Sequence, residues 1–420
     1  MRRSNAPEHR PLVSAIIPTH NRAHCLARAV DSMYAQEELD DQFDLEIIVV
    51  DDASSDATPD VIRQYSGVRY IRQPERRGVT PALNAGLRAS TGRYISFLGD
   101  DDEWLPHKLR VQVPEIEAHP DVAVVYGQSL VRKAGEERLY PEVARAPSGQ
   151  VFRAMLMDNF CGHHASALIR RTAFDAVGDF DESLGSYEDY DMSLRLAFHF
   201  PFRFIPGAVD IYNLSPQGLW MTRVASGLAT RDVTHVIEKA LQMLPDAAPY
   251  PELKREIRAR AALDAASLFV ELGDPAQVWA KLLVALRRCP ELTGYDWGRD
   301  TVSRLTYTQA RAAASPVAAT RDLCAQIKAA TANSSPQEQR SMRRMMAMIW
   351  GRMALSLAAD PAVRNRDAAY AAACAVALAP LFLIRRELLR GLARRVLGRR
   401  LAGWCGRLCR GVKRATMIGN

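Results

Sequence analysis

Residues 94–104 read YISFLGDDDEW, a short β-rich apolar run that ends in Asp100, Asp101 and Asp102 and then Glu103. The apolar part has the pattern of a buried strand. Four consecutive carboxylates repel one another unless a cation sits among them, and Mg2+ or Mn2+ accepts carboxylate and phosphate oxygens together. One reading is a metal-assisted reaction on a phosphate-bearing substrate. The other is a solvated acidic loop, and these residues alone leave both open. A second pair, Asp51 and Asp52, closes the run LEIIVVDD. Carboxylates there can accept hydrogen bonds from a base N–H or from ribose hydroxyls. Beside Ser54, Ser55 and Thr58 they can equally cap a turn. A third pair, Glu188 and Asp189, opens a stretch of helical periodicity. It either complements a helix N-terminus or supplies a base. In the second case repulsion from Glu188 and Asp191 would bring the pKa of Asp189 toward the working pH.

These residues need elements to hold them. Val13–Pro18, Leu45–Asp52, Val68–Gln73 and Arg93–Gly99 read as strands. Ala23–Gln36, Pro59–Tyr65 and Thr80–Ala89 read as helices between them, with Pro81 in a first turn. That alternation predicts a mainly parallel sheet covered by helices, with ligands beyond the strands' C-terminal ends. Further strands are expected within 121–130 and 166–171, and a helix from about Asp189 that partly buries Met192, Leu194, Leu196 and Phe198. A dinucleotide-binding fold needs a glycine-rich loop after its first strand. Here that loop is PTHNR, so the dehydrogenase reading fails.

PTHNRAHCLARAVDSMYAQ, EIIVVDDASSDAT, RGVTPALNAGLRASTGRYISFLGDDDEW and VGDFDESLGSYEDYDMSLRLA, in this order, resemble glycosyltransferase family 2 over about residues 12–215. The resemblance implies a GT-A fold, a Rossmann-like α/β sheet flanked by helices. It implies inverting transfer of a single sugar from a nucleoside-diphosphate sugar (UDP-, GDP- or dTDP-linked) to a hydroxyl acceptor, assisted by Mn2+ or Mg2+. By resemblance Pro18, Thr19, His20 and Arg22 line the nucleotide, with His20 placed to stack on the base. Asp51 or Asp52 meets uracil or ribose, Arg77 meets phosphate and Asn84 the nucleotide edge. Asp101 is the expected principal metal ligand. Asp100 supports ribose or metal, and Asp102 is a second ligand or an orienting group. Asp189 is the expected base with Glu188 beside it, and Gly162, His163 and His164 are candidate acceptor contacts. The chain departs from the family pattern at Gly99, before the acidic run, and at Leu83, where an Arg is common. It also departs after the second acidic pair, where IYNLSPQG has no His and Asn213 is the candidate substitute. A non-catalytic nucleotide-sugar-binding or scaffold protein at a membrane surface is the alternative that these departures motivate.

The chain has 420 residues, 48% hydrophobic and 25% charged, enough for two or three domains with full cores. Four segments are expected: a disordered lead-in at 1–11, the GT-A domain at 12–225, an all-helical domain at 226–380 and a basic tail at 381–420. Within the helical part, 261–290 reads as a hairpin broken at Gly273–Pro275. The formal +7 is concentrated between Arg385 and Arg414, where ten Arg and one Lys oppose one Glu, so the remainder is net negative. Apolar steps at Leu388, Leu392 and Val396, then Leu397, Leu401, Trp404, Leu408 and Val412, give that tail an amphipathic pattern. The pattern points to an anionic membrane surface, with packing on its own protein as the alternative. No nucleic-acid module accompanies the basic residues, and none is expected as a partner. Seven scattered cysteines without metal spacing, and no leader-like segment, lead to the expectation of a cytoplasmic protein, peripheral on the inner face of the plasma membrane. The acceptor expected there is a cell-envelope saccharide or glycolipid.

Overall fold

A computed structural model describes residues 10–133, 139–141, 146–161, 163–214, 218–246, 250–271, 275–289 and 315–330, with isolated positions between 336 and 353. Two compact units divide the chain after Pro245.

The first unit opens with β1 (Leu12–Thr19), α1 (Ala23–Tyr34), β2 (Asp44–Asp51), α2 (Thr58–Ile62), β3 (Val68–Arg72), α3 (Val79–Ala89) and β4 (Tyr94–Phe97). The four strands lie side by side in the order β3-β2-β1-β4, and every pairing is parallel. This is the predicted alternation, and its reason is legible in the residues. Val13, Ala15, Ile16, Ile17 and Ile47–Val50 are all buried, as a strand covered on both faces requires. Val13 and Ala15 pack with Leu26, Ala29, Val30 and Met33 of α1 in one core. On the other face α3 lies so close that a Cβ at Gly86 would stand 2.4 Å from Ile16 Cγ2. Only glycine allows that approach.

The rest of the sheet is antiparallel or mixed. β5 (Glu103–Trp104) is followed by α4 (Lys108–Ala118), β6 (Val124–Lys133), β7 (Leu139–Pro141) and α5 (Phe152–Met157). A 3-10 turn (His164–Ser166), β8 (Ala167–Arg170), α6 (Arg171–Val177), α7 (Glu188–His199) and β9 (Phe202–Leu214) come next. The sheet continues from β4 as β8-β6-β9-β5, with β7 on β6. β9 was not foreseen, because Pro206 and Gly207 interrupt its alternation. Gly207 has φ +113° and the β6–β9 register slips near Gln128, so an irregular strand of 13 residues forms around the break.

α8 (Leu219–Ala225) and α9 (Leu228–Gln242) close the first unit. α9 belongs to it through Asp232, which accepts hydrogen bonds from the Gly185 and Ser186 N–H groups at 2.9 and 3.0 Å. The unit thus runs beyond the expected boundary at 225. The second unit contains α10 (Tyr250–Glu271), α11 (Pro275–Arg288) and α12 (Pro316–Ala330). The first two are the anticipated hairpin, packed on each other. No described helix is long and apolar enough to cross a membrane. Residues 1–9 and the segment 381–420, with its amphipathic pattern, lie outside the described residues.

Candidate active site

Three loops at the C-terminal ends of β1, β2 and β4 are stitched together. Asn21, with φ +54°, accepts from the Ser55 N–H at 2.7 Å and donates its own N–H to Ser54 Oγ at 2.9 Å. His20 is fixed by contacts from Nδ1 to the Asp52 carbonyl at 2.7 Å and from Nε2 to the Asn21 amide at 3.2 Å. Ala53 (φ +58°) and Tyr187 (φ +59°) are also left-handed, a conformation that costs a non-glycine residue roughly 1–2 kcal/mol. Three of the five described non-glycine residues with positive φ therefore sit in loops that carry candidate site residues. Such backbone strain clusters where function demands a shape.

The Asp51–Asp52 pair is occupied by its own protein. Asp51 is fully buried and accepts from the Tyr70 hydroxyl, from Arg72 Nη1 at 3.0 Å and from the Ser54 N–H at 2.8 Å. Asp52 accepts the Arg77 and Gly78 N–H groups, each at 2.7 Å, and so anchors the start of α3. Two other residues expected at the nucleotide also make contacts within the protein. The Arg77 guanidinium pairs with Glu182 at 3.0 Å. Asn84 is 1% exposed, donates to the Phe180 carbonyl and Glu182 Oε1, each at 3.0 Å, and accepts the Phe180 N–H at 2.8 Å. Its amide ties α3 to the loop before α7. Leu83, in place of the family's Arg, is simply buried.

The acidic run after β4 is different. Burial first, and then Asp101, push the Asp100 carboxyl up to about 7, partly offset by Thr19, Arg22 and the His20 backbone. Burial and Asp101 also hold Asp102 well above the usual carboxylate range. Asp102 Oδ1 accepts the Asn213 N–H at 2.8 Å. Its Oδ2 lies where a side chain at position 99 would be, since a Cβ on Gly99 would meet it at 2.7 Å. Gly99 is therefore the space that lets Asp102 fold back beneath the run. Asp101 is the more open carboxylate, with Arg22 Nη1 at 3.6 Å. Asn213 stands at the acidic run as expected, but its side-chain oxygen accepts from Arg132 at 2.9 Å, while its NH2 donates to the Asp101 carbonyl at 2.7 Å.

Among the described residues no three His, Cys, Asp or Glu side chains converge as a complete metal cage. A magnesium-like ion does not require one. It typically takes one or two carboxylates, with water and substrate phosphate filling the other positions. Raised carboxylates with few cationic partners fit that role.

At the start of α7, Tyr187 turns the chain so that Glu188 and Asp189 begin the helix. Burial, then Glu188, push Asp189 up to about 7, against the Tyr190 N–H and Arg223. This overrides the lowering that a helix N-terminus normally exerts. Glu188 is 7% exposed; Oε1 lies 3.7 Å from Arg223, and Oε2 has no hydrogen-bond partner. The loop before α7 is pinned on one side to α3, by Asn84 and by the Thr80 hydroxyl, which donates to the Leu184 carbonyl at 2.9 Å. On the other side it is pinned to α9 through Asp232. The strand-end loops and the α7 carboxylates are thereby held by one continuous set of contacts.

The expected acceptor segment separates. His164 is a core residue: burial and then His163 push it down to about 3, and Nε2 lies 3.0 Å from Ser193 Oγ beside Phe97 and Phe180. It is 7% exposed, so little of it faces outward, against the expectation of an acceptor contact. His163 remains partly open, 3.4 Å from the buried Asp210 and with its ring beside Tyr212. Gly162 lies outside the described residues. Sequence reasoning missed Arg28, which donates to the Asp101 carbonyl at 2.9 Å and pairs with Glu103 at 3.1 Å. It also missed Lys108 and Asp210, buried beneath the acidic run. Burial pushes Lys108 down and Asp210 up, and each moderates the other. An arginine on a helix and a lysine among apolar residues carry no signal of what they will meet.

Comparison with known proteins agrees with this architecture. Residues 14–178 match the family model for glycosyl transferase family 2. An uncharacterized glycosyltransferase of Rickettsia prowazekii is 32% identical over 186 residues, 43% of this chain and 57% of that protein. The succinoglycan biosynthesis protein ExoO of Rhizobium meliloti is 32% identical over 194 residues, 43% of this chain and 54% of that one. The aligned region thus spans just over half the length of these curated relatives. Among solved structures, S. aureus TarS 1–349 in complex with UDP-GlcNAc superposes with a TM-score of 0.51 at 17% identity. That match covers 77% of this chain and 92% of the other. With the parallel half-sheet, the strand-end acidic runs and the α7 carboxylate pair in their expected order, residues 14–178 carry a glycosyl transferase family 2 domain, and the first unit that holds it has the GT-A fold.

Proposed function

We propose that the first unit transfers one sugar from a nucleoside-diphosphate sugar to a hydroxyl acceptor with inversion, assisted by Mn2+ or Mg2+. The observation that carries this reading is the Asp189 carboxyl, raised to about 7 at the start of α7. A sugar hydroxyl is a weak nucleophile whose proton must leave as the new bond forms, and a carboxylate of near-neutral pKa is suited to take it. Asp189 accepts that proton, and Glu188 keeps its basicity high. Thr19, His20 and Arg22 border the donor, with the β1 and β2 loops locked so that the base and ribose meet a rigid edge. Asp100, Asp101 and Asp102 would hold the divalent ion, with Asp101 the most accessible. That ion, when bound, offsets the charge of the departing diphosphate. The name of ExoO and the UDP-GlcNAc held by TarS make UDP-sugars and envelope saccharides the first donor and acceptor to test. The membrane-surface expectation rests on the tail's composition, and the cytoplasmic one on the scattered cysteines.

The test is a thermal-shift screen of UDP-, GDP- and dTDP-sugars with and without Mn2+. A ligand that binds only the folded state raises its apparent stability. A Mn2+-dependent rise with one nucleotide class, followed by release of that nucleoside diphosphate on adding acceptor, is the expected result. A folded protein that shifts with none of them would remove the donor-site reading.

A further inference from the structure

We propose that Arg223 of α8 is a positioning residue for the α7 carboxylate pair: it orients Glu188 beside Asp189 and offsets the negative charge that Glu188 brings to the pair. This rests on the reading of Asp189 as the base. The Arg223 side chain is 14% exposed and Glu188 is its single ion-pair partner among the described residues, Nη1 to Oε1 at 3.7 Å. The contact engages one carboxylate oxygen and leaves Oε2 buried without a hydrogen-bond partner. α8 is itself placed for this task. Trp220 meets the Tyr187 ring edge-on at 5.5 Å, directly before Glu188, and α8 packs on α9, whose Asp232 braces Gly185 and Ser186.

The other charged groups around the pair are already committed or remote. On α7, Asp191 pairs with Arg195 at 2.8 Å and with Lys239 of α9 at 2.9 Å. Asp232 serves two backbone N–H groups and Arg231. The 161–164 segment brings Cys161, whose thiol burial raises, and His164, which burial keeps neutral. α5 and α6 carry Arg153 and Asp175, both exposed, and Arg171, which donates to the Gly92 carbonyl at 2.6 Å. Arg223 is therefore the cation that sets the balance: it opposes the increase in Asp189 basicity that Glu188 produces.

The experiment is the pH profile of turnover, with the donor chosen by the screen above, for wild type, Arg223→Gln, Arg223→Lys, Glu188→Gln and Asp189→Asn. Folding is checked by circular dichroism and nucleotide affinity by titration. The expected result is two opposite shifts. Arg223→Gln moves the acid limb up by about one pH unit, a loss of roughly tenfold at neutral pH that is recovered in alkali. Glu188→Gln moves it down. Arg223→Lys keeps the wild-type limb, and nucleotide affinity is unchanged in all of them. A uniform loss at every pH with an unmoved limb, or weakened nucleotide binding in Arg223→Gln, would overturn the proposal. If Arg223→Gln does not fold, an unmoved limb in Glu188→Gln overturns it instead. Full activity in Asp189→Asn would sink the base assignment itself, an outcome separate from failure of the Arg223 proposal.

Discussion

Two acidic pairs in this molecule have opposite fates. Asp51 and Asp52, at the end of β2, spend their charge on tyrosine, arginine and backbone donors of their own chain. Glu188 and Asp189, at the start of α7, are short of partners, and Asp189 is pushed up to about 7. Both pairs are acidic dipeptides beside polar neighbours, and the difference lies in how many donors the fold brings to them. A carboxylate with two or three good donors becomes a joint that fixes a loop. One that is buried with few donors holds its proton tightly and becomes a reagent.

The comparison is broken most directly at its reactive end. Asp189→Asn should lower turnover by about 10²–10⁴-fold, the usual contribution of a positioned base, while nucleotide binding survives. The same variant should be more stable than wild type above pH 7. The sign follows from the raised pKa. Between the unfolded value and about 7 the folded state binds the extra proton, so stability falls as pH rises through that window. Asparagine removes the titration, and a melting curve at pH 5 and pH 8 reads the difference.

At the joint the loss should appear in stability. Asp52→Asn sets an NH2 against a backbone N–H and is expected to cost about 2–3 kcal/mol in denaturant unfolding of the first unit. A smaller effect sharpens the assignment of the base. Wild-type turnover should rise close to tenfold per pH unit up to about pH 7 and then level off, since one carboxylate must be ionised. The smallest concerns the strained turn directly after Asp52: Ala53→Gly should stabilise by about 0.5–1 kcal/mol by relieving a left-handed alanine. A loss of stability there would show that the methyl group, not the backbone, determines the preference.

The parallel half of the sheet was legible from local pattern. Strands such as Val13–Pro18 are continuous apolar runs, and each ends in polar residues where a ligand must approach. The α10–α11 hairpin was legible for the same reason, with its Gly-Asp-Pro break. Phe198 is the least covered of the four apolar residues expected on α7. It is 40% exposed at the end of α7, although its ring still contacts Phe152 at 5.1 Å. β9 was hidden by its own bulge. The fates of individual site residues were hidden for another reason. Asn84 and Phe180 are 96 residues apart, and Asp102 and Asn213 are 111 apart. No local pattern states that such segments will meet.

By itself, then, the sequence determined the alternation of strands and helices that carries the acidic runs and which dipeptides could do chemistry, because periodicity and side-chain type are local properties. Tertiary structure alone decided that Asp51 and Asn84 are structural ties, that His164 is core, that Gly99 makes room for Asp102, and that Arg223 faces Glu188. A carboxylate's role is set by the donors and the dielectric around it, and those come from segments that only folding brings together.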